Sequence, residues 1–190
     1  SYKSLKAALE GGIGALATAS GQFAETLTVS GDYFPVLGVG AQRGRLLTPY
    51  RIWIHSPKLA AALETIGTFL NKKSSLSERE VELVICIIAN HWKGEYVWTV
   101  HTRTCVELGI PRSVFDAIRP GREPELHDER ERTVYDLTKV AMAPGAGPDE
   151  VFERAERLLG RHGIAEVLAL LGYYSSVAMA VKLHRAPVPA

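Results

Sequence analysis

The chain has 190 residues, of which 46% are hydrophobic, so it is long enough to form one full domain with a sizeable core. Its 22 lysines and arginines almost balance its 21 aspartates and glutamates. This balance gives no overall positive field, which argues against a nucleic acid or an anionic membrane as partner and favours a small neutral or anionic organic molecule.

The first part of the chain, residues 1–46, stands apart from the rest. It contains the run TLTVSGDYFPVLGV, which begins at Thr26, and GRLLTP follows it from Gly44. This stretch, residues 26–49, resembles a fragment of the extracytoplasmic domain of macrolide-exporter-type ABC permeases. A piece so short cannot bury a core of its own. We therefore predict an irregular N-terminal arm without transport function, which packs on the helical body or on a neighbouring subunit through Tyr33, Phe34 and Leu37.

The remainder, residues 47–190, has the apolar spacing and the start and stop residues of successive helices. Ser77 and Glu80 have the spacing of a capping box, so a buried helix should begin there. The predicted helices are Pro57 to Lys72, Ser77 to Trp92, Glu95 to Leu108, Pro111 to Ile118, one from Asp128, one from Pro148 to Gly160, and Ile164 to about His184. The sequence therefore predicts an all-α fold.

The last predicted helix is long and apolar enough to permit a membrane span. Two charged residues, Glu166 and Lys182, and adjacent serine and tyrosine pairs make it a poor one. We instead expect no membrane partner and a helix that is buried on all sides inside an oligomer.

Glu82 is a lone carboxylate in the apolar part of the second helix, and His101 follows on the next helix. Apolar surroundings disfavour the charged form of a carboxylate, and an imidazole titrates near neutral pH. The two residues therefore suit general acid/base catalysis. The alternative is that Glu82 pairs with an arginine across a subunit boundary and that His101 is a satisfied core histidine.

Several short pieces of residues 47–190 match one family. They are His55-Ser56-Pro57, Glu82-Leu83-Val84-Ile85, Glu95-Tyr96 with Trp98 and His101, Arg119-Pro120-Gly121-Arg122, and Gly172-Tyr173-Tyr174. In these pieces the chain resembles the carboxymuconolactone decarboxylase and alkylhydroperoxidase D superfamily. The resemblance implies an alkylhydroperoxidase D-like helical bundle, a proton relay through Glu82 and His101, and a homo-oligomer, trimer or hexamer, with the site near a subunit interface.

The peroxidase members of this superfamily carry a Cys-x-x-Cys motif, and Gly94 and Val97 occupy its two cysteine positions here. Neither side chain has a sulfur to attack a peroxide or to resolve a sulfenic acid, which excludes a dithiol cycle through that motif. The decarboxylase branch also lacks the dithiol and works without metal or organic cofactor. The resemblance thus implies a cofactor-free lyase or isomerase that acts on a small carboxylated or lactone substrate.

Further candidate residues surround this pair. We predict that Glu95, Trp98 and Tyr173 bind substrate. Cys105 lies four residues after His101, on the same helix face, and a thiol beside an imidazole can act as a nucleophile. A hydrolase (esterase or lactonase) or a single-thiol peroxidase that uses Cys105 is therefore an alternative, and a non-catalytic helical assembly module is another.

The remaining histidines lack the spacing of metal ligands, so no metal site is predicted. The two cysteines, Cys86 and Cys105, fall on buried helices rather than in a disulfide framework, which suits a reducing compartment. The chain opens without a basic and apolar leader, and we expect a cytoplasmic protein.

Overall fold

The computed structural model describes residues 52–53 and 55–188, and this part of the chain folds entirely into helices and their connections. The helices are, in chain order, α1 (Pro57–Lys72), α2 (Glu78–Trp92), α3 (Glu95–Glu107), α4 (Arg112–Ile118), α5 (Glu129–Met142) and α6 (Asp149–Leu183). The predicted all-α fold class is confirmed. The predicted arm, with its contact residues Tyr33, Phe34 and Leu37, lies outside the described residues.

Helix α2 forms the centre of the fold, and each residue from 81 to 89 is buried. It begins at the predicted capping box: the Ser77 hydroxyl accepts a hydrogen bond from the backbone N–H of Glu80, and the Glu80 carboxylate accepts one from the backbone N–H of Ser77 at 2.7 Å. Because α2 is apolar on nearly every side, it needs cover on every side, and α3, α5 and α6 all pack against it.

A tight turn returns the chain from α2 to α3. Lys93 ends α2 in the left-handed conformation with φ of 54°, and Gly94 precedes the first residue of α3. A Cβ at Gly94 would lie 3.2 Å from the Cβ of Ala178, so the turn packs closely against α6. The short connection makes α2 and α3 antiparallel neighbours, which places residues from the middle of each helix side by side.

Two ion pairs join α2 to the first turns of α5. Arg130 donates from Nε to Glu80 Oε1 at 2.7 Å, and Arg79 donates from Nε to Glu131 Oε1 at 2.5 Å. Both carboxylates are buried. Sequence patterns did not reveal these pairs, because the partners are 50 or more residues apart along the chain.

Helix α6 contains a sharp break at Gly160, where φ is 69° and ψ is 170°. The sequence predicted two separate helices with stops at Gly160 and Gly163, and the break at Gly160 divides α6 into two helical segments in agreement with that prediction. This backbone conformation is accessible essentially to glycine alone, since a Cβ would clash with the neighbouring carbonyl.

We therefore expect Gly160→Ala to lower the free energy of unfolding by about 2 kcal/mol, because alanine would have to adopt a strained backbone conformation. Gly172→Ala in the same helix is the matched control, since a Cβ there meets nothing within 4 Å, and it should be neutral or mildly stabilising. Urea unfolding followed by circular dichroism compares the two variants. Equal effects of both substitutions would contradict the proposed strain.

By length and composition, α6 is the single helix among the described residues that would be able to cross a membrane. Only 39% of the apolar window that passes this test is buried within the subunit. Near this window, Glu166 accepts hydrogen bonds from the Ser74 hydroxyl and from the backbone N–H and hydroxyl of Ser75. Burial by itself would raise the pKa of Glu166, but the bonds from Ser75 and Ser74 hold that pKa below its usual value. The carboxylate thus ties α6 to the connection between α1 and α2.

Candidate active site

The structure brings Glu82 of α2 and His101 of α3 into direct contact. Glu82 Oε2 lies 2.7 Å from His101 Nδ1. Glu82 is only 9% exposed, and the His101 side chain is 18% exposed. The two groups are therefore paired in a largely water-free position that still has an opening on the imidazole side.

This geometry assigns different tasks to the two nitrogens of the imidazole. Nδ1 is held by the Glu82 carboxylate, which orients the ring and stabilises the imidazolium that forms when the ring takes up a proton. Within residues 52–53 and 55–188, no hydrogen bond engages Nε2. A carboxylate that accepts from Nδ1 makes Nε2 the basic nitrogen, so Nε2 is the atom available to exchange a proton with a substrate.

Aromatic rings from α6 border the imidazole. The ring of Tyr174 meets that of His101 edge-on, with centroids 5.4 Å apart and an interplanar angle of 86°. The Tyr173 ring meets that of Tyr174 edge-on, with centroids 5.2 Å apart, and the Trp53 ring centroid lies 6.1 Å from that of Tyr173. The predicted substrate-binding residue Tyr173 therefore lies one ring further from the imidazole than its neighbour Tyr174, which sequence reasoning did not prefer.

The hydroxyl of Tyr174 donates to Asn71 Oδ1 of α1 at 2.9 Å, which fixes the ring that faces His101. We expect Tyr174→Phe to cost about 1 kcal/mol of stability, because Asn71 loses a partly buried partner. A double-mutant cycle with Asn71→Ala, measured by urea unfolding, should give a coupling free energy of about 1 kcal/mol. Strictly additive effects would show that this hydrogen bond does not hold the ring.

Glu95 and Trp98, the other predicted substrate-binding residues, form a separate group with Arg119. Arg119 Nη2 donates to both carboxylate oxygens of Glu95, at 2.5 and 2.6 Å, and its guanidinium lies 4.8 Å above the Trp98 ring. Trp98 also meets Phe115 edge-on at 6.3 Å. The Glu95 carboxylate is thus already engaged by a cation, and a substrate role for Glu95 and Trp98 stays a prediction.

Cys105 is fully buried, and its sulfur lies 3.7 Å from that of Cys86. Burial raises the pKa of Cys86, and the contact with Cys105 and the nearby charge of Glu82 raise it further. A sulfur without solvent access is a poor first nucleophile, so the burial of Cys105 weighs against the hydrolase and peroxidase alternatives that depend on it.

No cluster of three or more histidine, cysteine, aspartate or glutamate side chains that would hold a metal ion occurs in the described part of the chain. The pair of Glu82 and His101 has a single carboxylate and a single imidazole, which is the composition of a proton relay. Such a pair has the groups needed to transfer a proton at Nε2.

Neither the family models nor the curated proteins contain a match to this chain. Among solved structures, a protein of unknown function from Agrobacterium tumefaciens that has been suggested to be the antioxidant defence protein AhpD superposes with a TM-score of 0.59, at 18% identity over 73% of this chain and 95% of that one. The debrominase Bmp8, as a cysteine-to-alanine variant bound to 2,3,4-tribromopyrrole, gives a TM-score of 0.63 at 16% identity, over 90% of this chain and 94% of that one. These similarities confirm the AhpD-like helical fold. They give no support to the resemblance of residues 26–49 to an ABC permease.

Proposed function

We propose that this protein is an enzyme in which Glu82 and His101 transfer protons to and from a small organic substrate, as a lyase or isomerase of the carboxymuconolactone decarboxylase kind. The observation that supports this most directly is the 2.7 Å contact between a shielded carboxylate and an imidazole whose second nitrogen is unbonded among the described residues. The AhpD-like fold is consistent with such a relay.

In the proposed reaction the substrate is a small unsaturated ring with a carboxylate or lactone group. The bond between the ring and its carboxylate breaks, carbon dioxide leaves, and the electron pair moves into the conjugated ring. The proton on His101 Nε2 then passes to a ring carbon, and the Glu82 carboxylate stabilises the charge of the imidazolium before that transfer. The Tyr174 ring beside the imidazole, with the Tyr173 ring behind it, offers aromatic surface for a small ring, and the ligand of the debrominase neighbour is also a small ring.

The two positions of the superfamily's cysteine motif support a route without sulfur. Val97 is buried, and Gly94 packs against Ala178. Both thiols of the chain lie elsewhere and are fully buried. The reaction therefore rests on the acid and the imidazole, and no organic cofactor or metal is required for it.

We also propose that the active form is a homo-oligomer, a trimer or hexamer as the superfamily resemblance implies. Several large apolar side chains are exposed on α1 and on α6, and contiguous apolar patches on a subunit surface mark interaction sites. They are Leu59, Ile66 and Phe69 on α1, and Leu168, Met179 and Leu183 on α6. Since both cysteines are free thiols, we place the protein in a reducing compartment, the cytoplasm.

The test of the proposed function is a turnover assay of the purified full chain with carboxymuconolactone and related carboxylated lactones. Release of carbon dioxide or a shift in ultraviolet absorbance, retained in a variant with both cysteines replaced by alanine, is the expected result. Cleavage of para-nitrophenyl acetate without any decarboxylation would favour the hydrolase instead. A protein that neither binds nor converts any of these compounds would favour the non-catalytic assembly module.

A further inference from the structure

The two cysteines of the chain, remote from any cysteine motif in sequence, meet in the core. Cys86 lies on α2 and Cys105 on α3, and neither side chain is exposed. Their sulfurs are 3.7 Å apart, which is van der Waals contact with no atom between them. Both are free thiols.

This arrangement is close to that of a disulfide. The sulfur–sulfur bond is about 2 Å long, so the two atoms need to approach by less than about 2 Å for the bond to form. Side chains on neighbouring antiparallel helices keep this proximity in the folded state. The pair is distinct from the superfamily's motif positions, Gly94 and Val97, which carry no sulfur.

We propose that Cys86 and Cys105 form a redox site that an excess of a small hydroperoxide oxidises to an intramolecular disulfide, slowly because both thiols are buried and without catalytic turnover. One sulfur attacks the peroxide oxygen, the O–O bond breaks, and a sulfenic acid and one molecule of water form. The other sulfur then displaces the hydroxyl group as a second molecule of water, and the S–S bond closes. Two thiols lose two electrons and two protons, and hydrogen peroxide is reduced to two molecules of water.

The cysteine pair lies next to the candidate acid and base. Each cysteine lies four residues, one helical turn, beyond a member of the Glu82 and His101 pair. The His101 side chain, one turn from Cys105, is itself 18% exposed. A disulfide at this level would clamp α2 to α3 directly beside the acid and the imidazole.

Trypsin places the two cysteines in different peptides, so a disulfide between them can be detected directly. Cleavage after Arg79, Lys93, Arg103 and Arg112 yields peptides 80–93 and 104–112, each with one cysteine. The reduced full chain is treated with excess hydrogen peroxide, quenched with catalase, blocked with N-ethylmaleimide in guanidinium and digested without reductant. We expect most of the two peptides to be recovered as one disulfide-linked species that dithiothreitol separates.

Cys86→Ala provides the matched control, because it leaves Cys105 without a partner. In this variant we expect a sulfenic acid on peptide 104–112, trapped with dimedone, and no linked species. Recovery of both wild-type peptides as separate species, blocked by N-ethylmaleimide or oxidised to sulfinic acid, would overturn the proposal. A disulfide found only between two chains, as a dimer on a non-reducing gel, would overturn it as well.

Discussion

His101→Ala is expected to reduce turnover of the best substrate in the lactone assay by about 10³-fold, because it removes the atom that exchanges the proton with substrate. Glu82→Gln keeps the size of the side chain but removes the negative charge that stabilises the imidazolium, so a loss of about 10²-fold is expected. The two losses should not add in the double variant, since both residues act on one proton transfer. Initial rates at saturating substrate give the turnover of the two single variants and of the double variant.

Matched controls distinguish a loss of catalysis from a loss of the folded state. His91→Ala removes an exposed histidine at the end of α2 and should keep full activity. Cys105→Ala should also retain activity, since the proposed reaction uses no sulfur. Full activity in correctly folded His101→Ala, judged by its circular dichroism spectrum and melting temperature, would refute the relay. Loss of turnover in folded Cys105→Ala would instead favour the thiol mechanism.

Glu80→Ala is expected to cause a large loss of stability, about 3 kcal/mol, because one carboxylate performs two tasks. It accepts the backbone N–H of Ser77 in the capping box and also the Nε of Arg130. Its removal frays the start of the central helix and leaves the Arg130 guanidinium without its ion-pair partner, although water can reach part of that side chain. For a chain of this size the melting temperature should fall by roughly 6–12 °C.

Glu78→Ala is the matched control for this substitution, since Glu78 is a first-turn acid of the same helix but is exposed. It should cost less than about 1 kcal/mol, the usual value of a charge near a helix N-terminus. Differential scanning calorimetry compares the two variants. A Glu80→Ala melting temperature no lower than that of Glu78→Ala would show that the buried carboxylate contributes nothing beyond its charge.

The central part of the fold follows from the sequence alone. The capping box at Ser77, the apolar run that follows it and the break at Lys93-Gly94 are local patterns, and local patterns determine where helices begin and end. Because the connection is only two residues long, α2 and α3 have to lie side by side. Glu82 lies ten residues before the end of α2 and His101 six residues after the start of α3, so the turn alone does not bring them to the same level. Their pairing was implied by the family resemblance, and their catalytic role stays a proposal.

The surroundings of this pair depended on the tertiary structure. Sequence spacing placed Cys105 on the face of His101 but did not pair it with Cys86, and it favoured Tyr173 although Tyr174 is the ring that meets His101. Arg119, which engages both Glu95 and Trp98, was recognised only as part of a segment that carries the family resemblance. For side chains on one helix, a period of 3.6 residues defines relative directions. Which neighbour each side chain meets is set by how the helices pack. The side chains of α3 meet partners from α2, α4 and α6, so no local pattern carries that information.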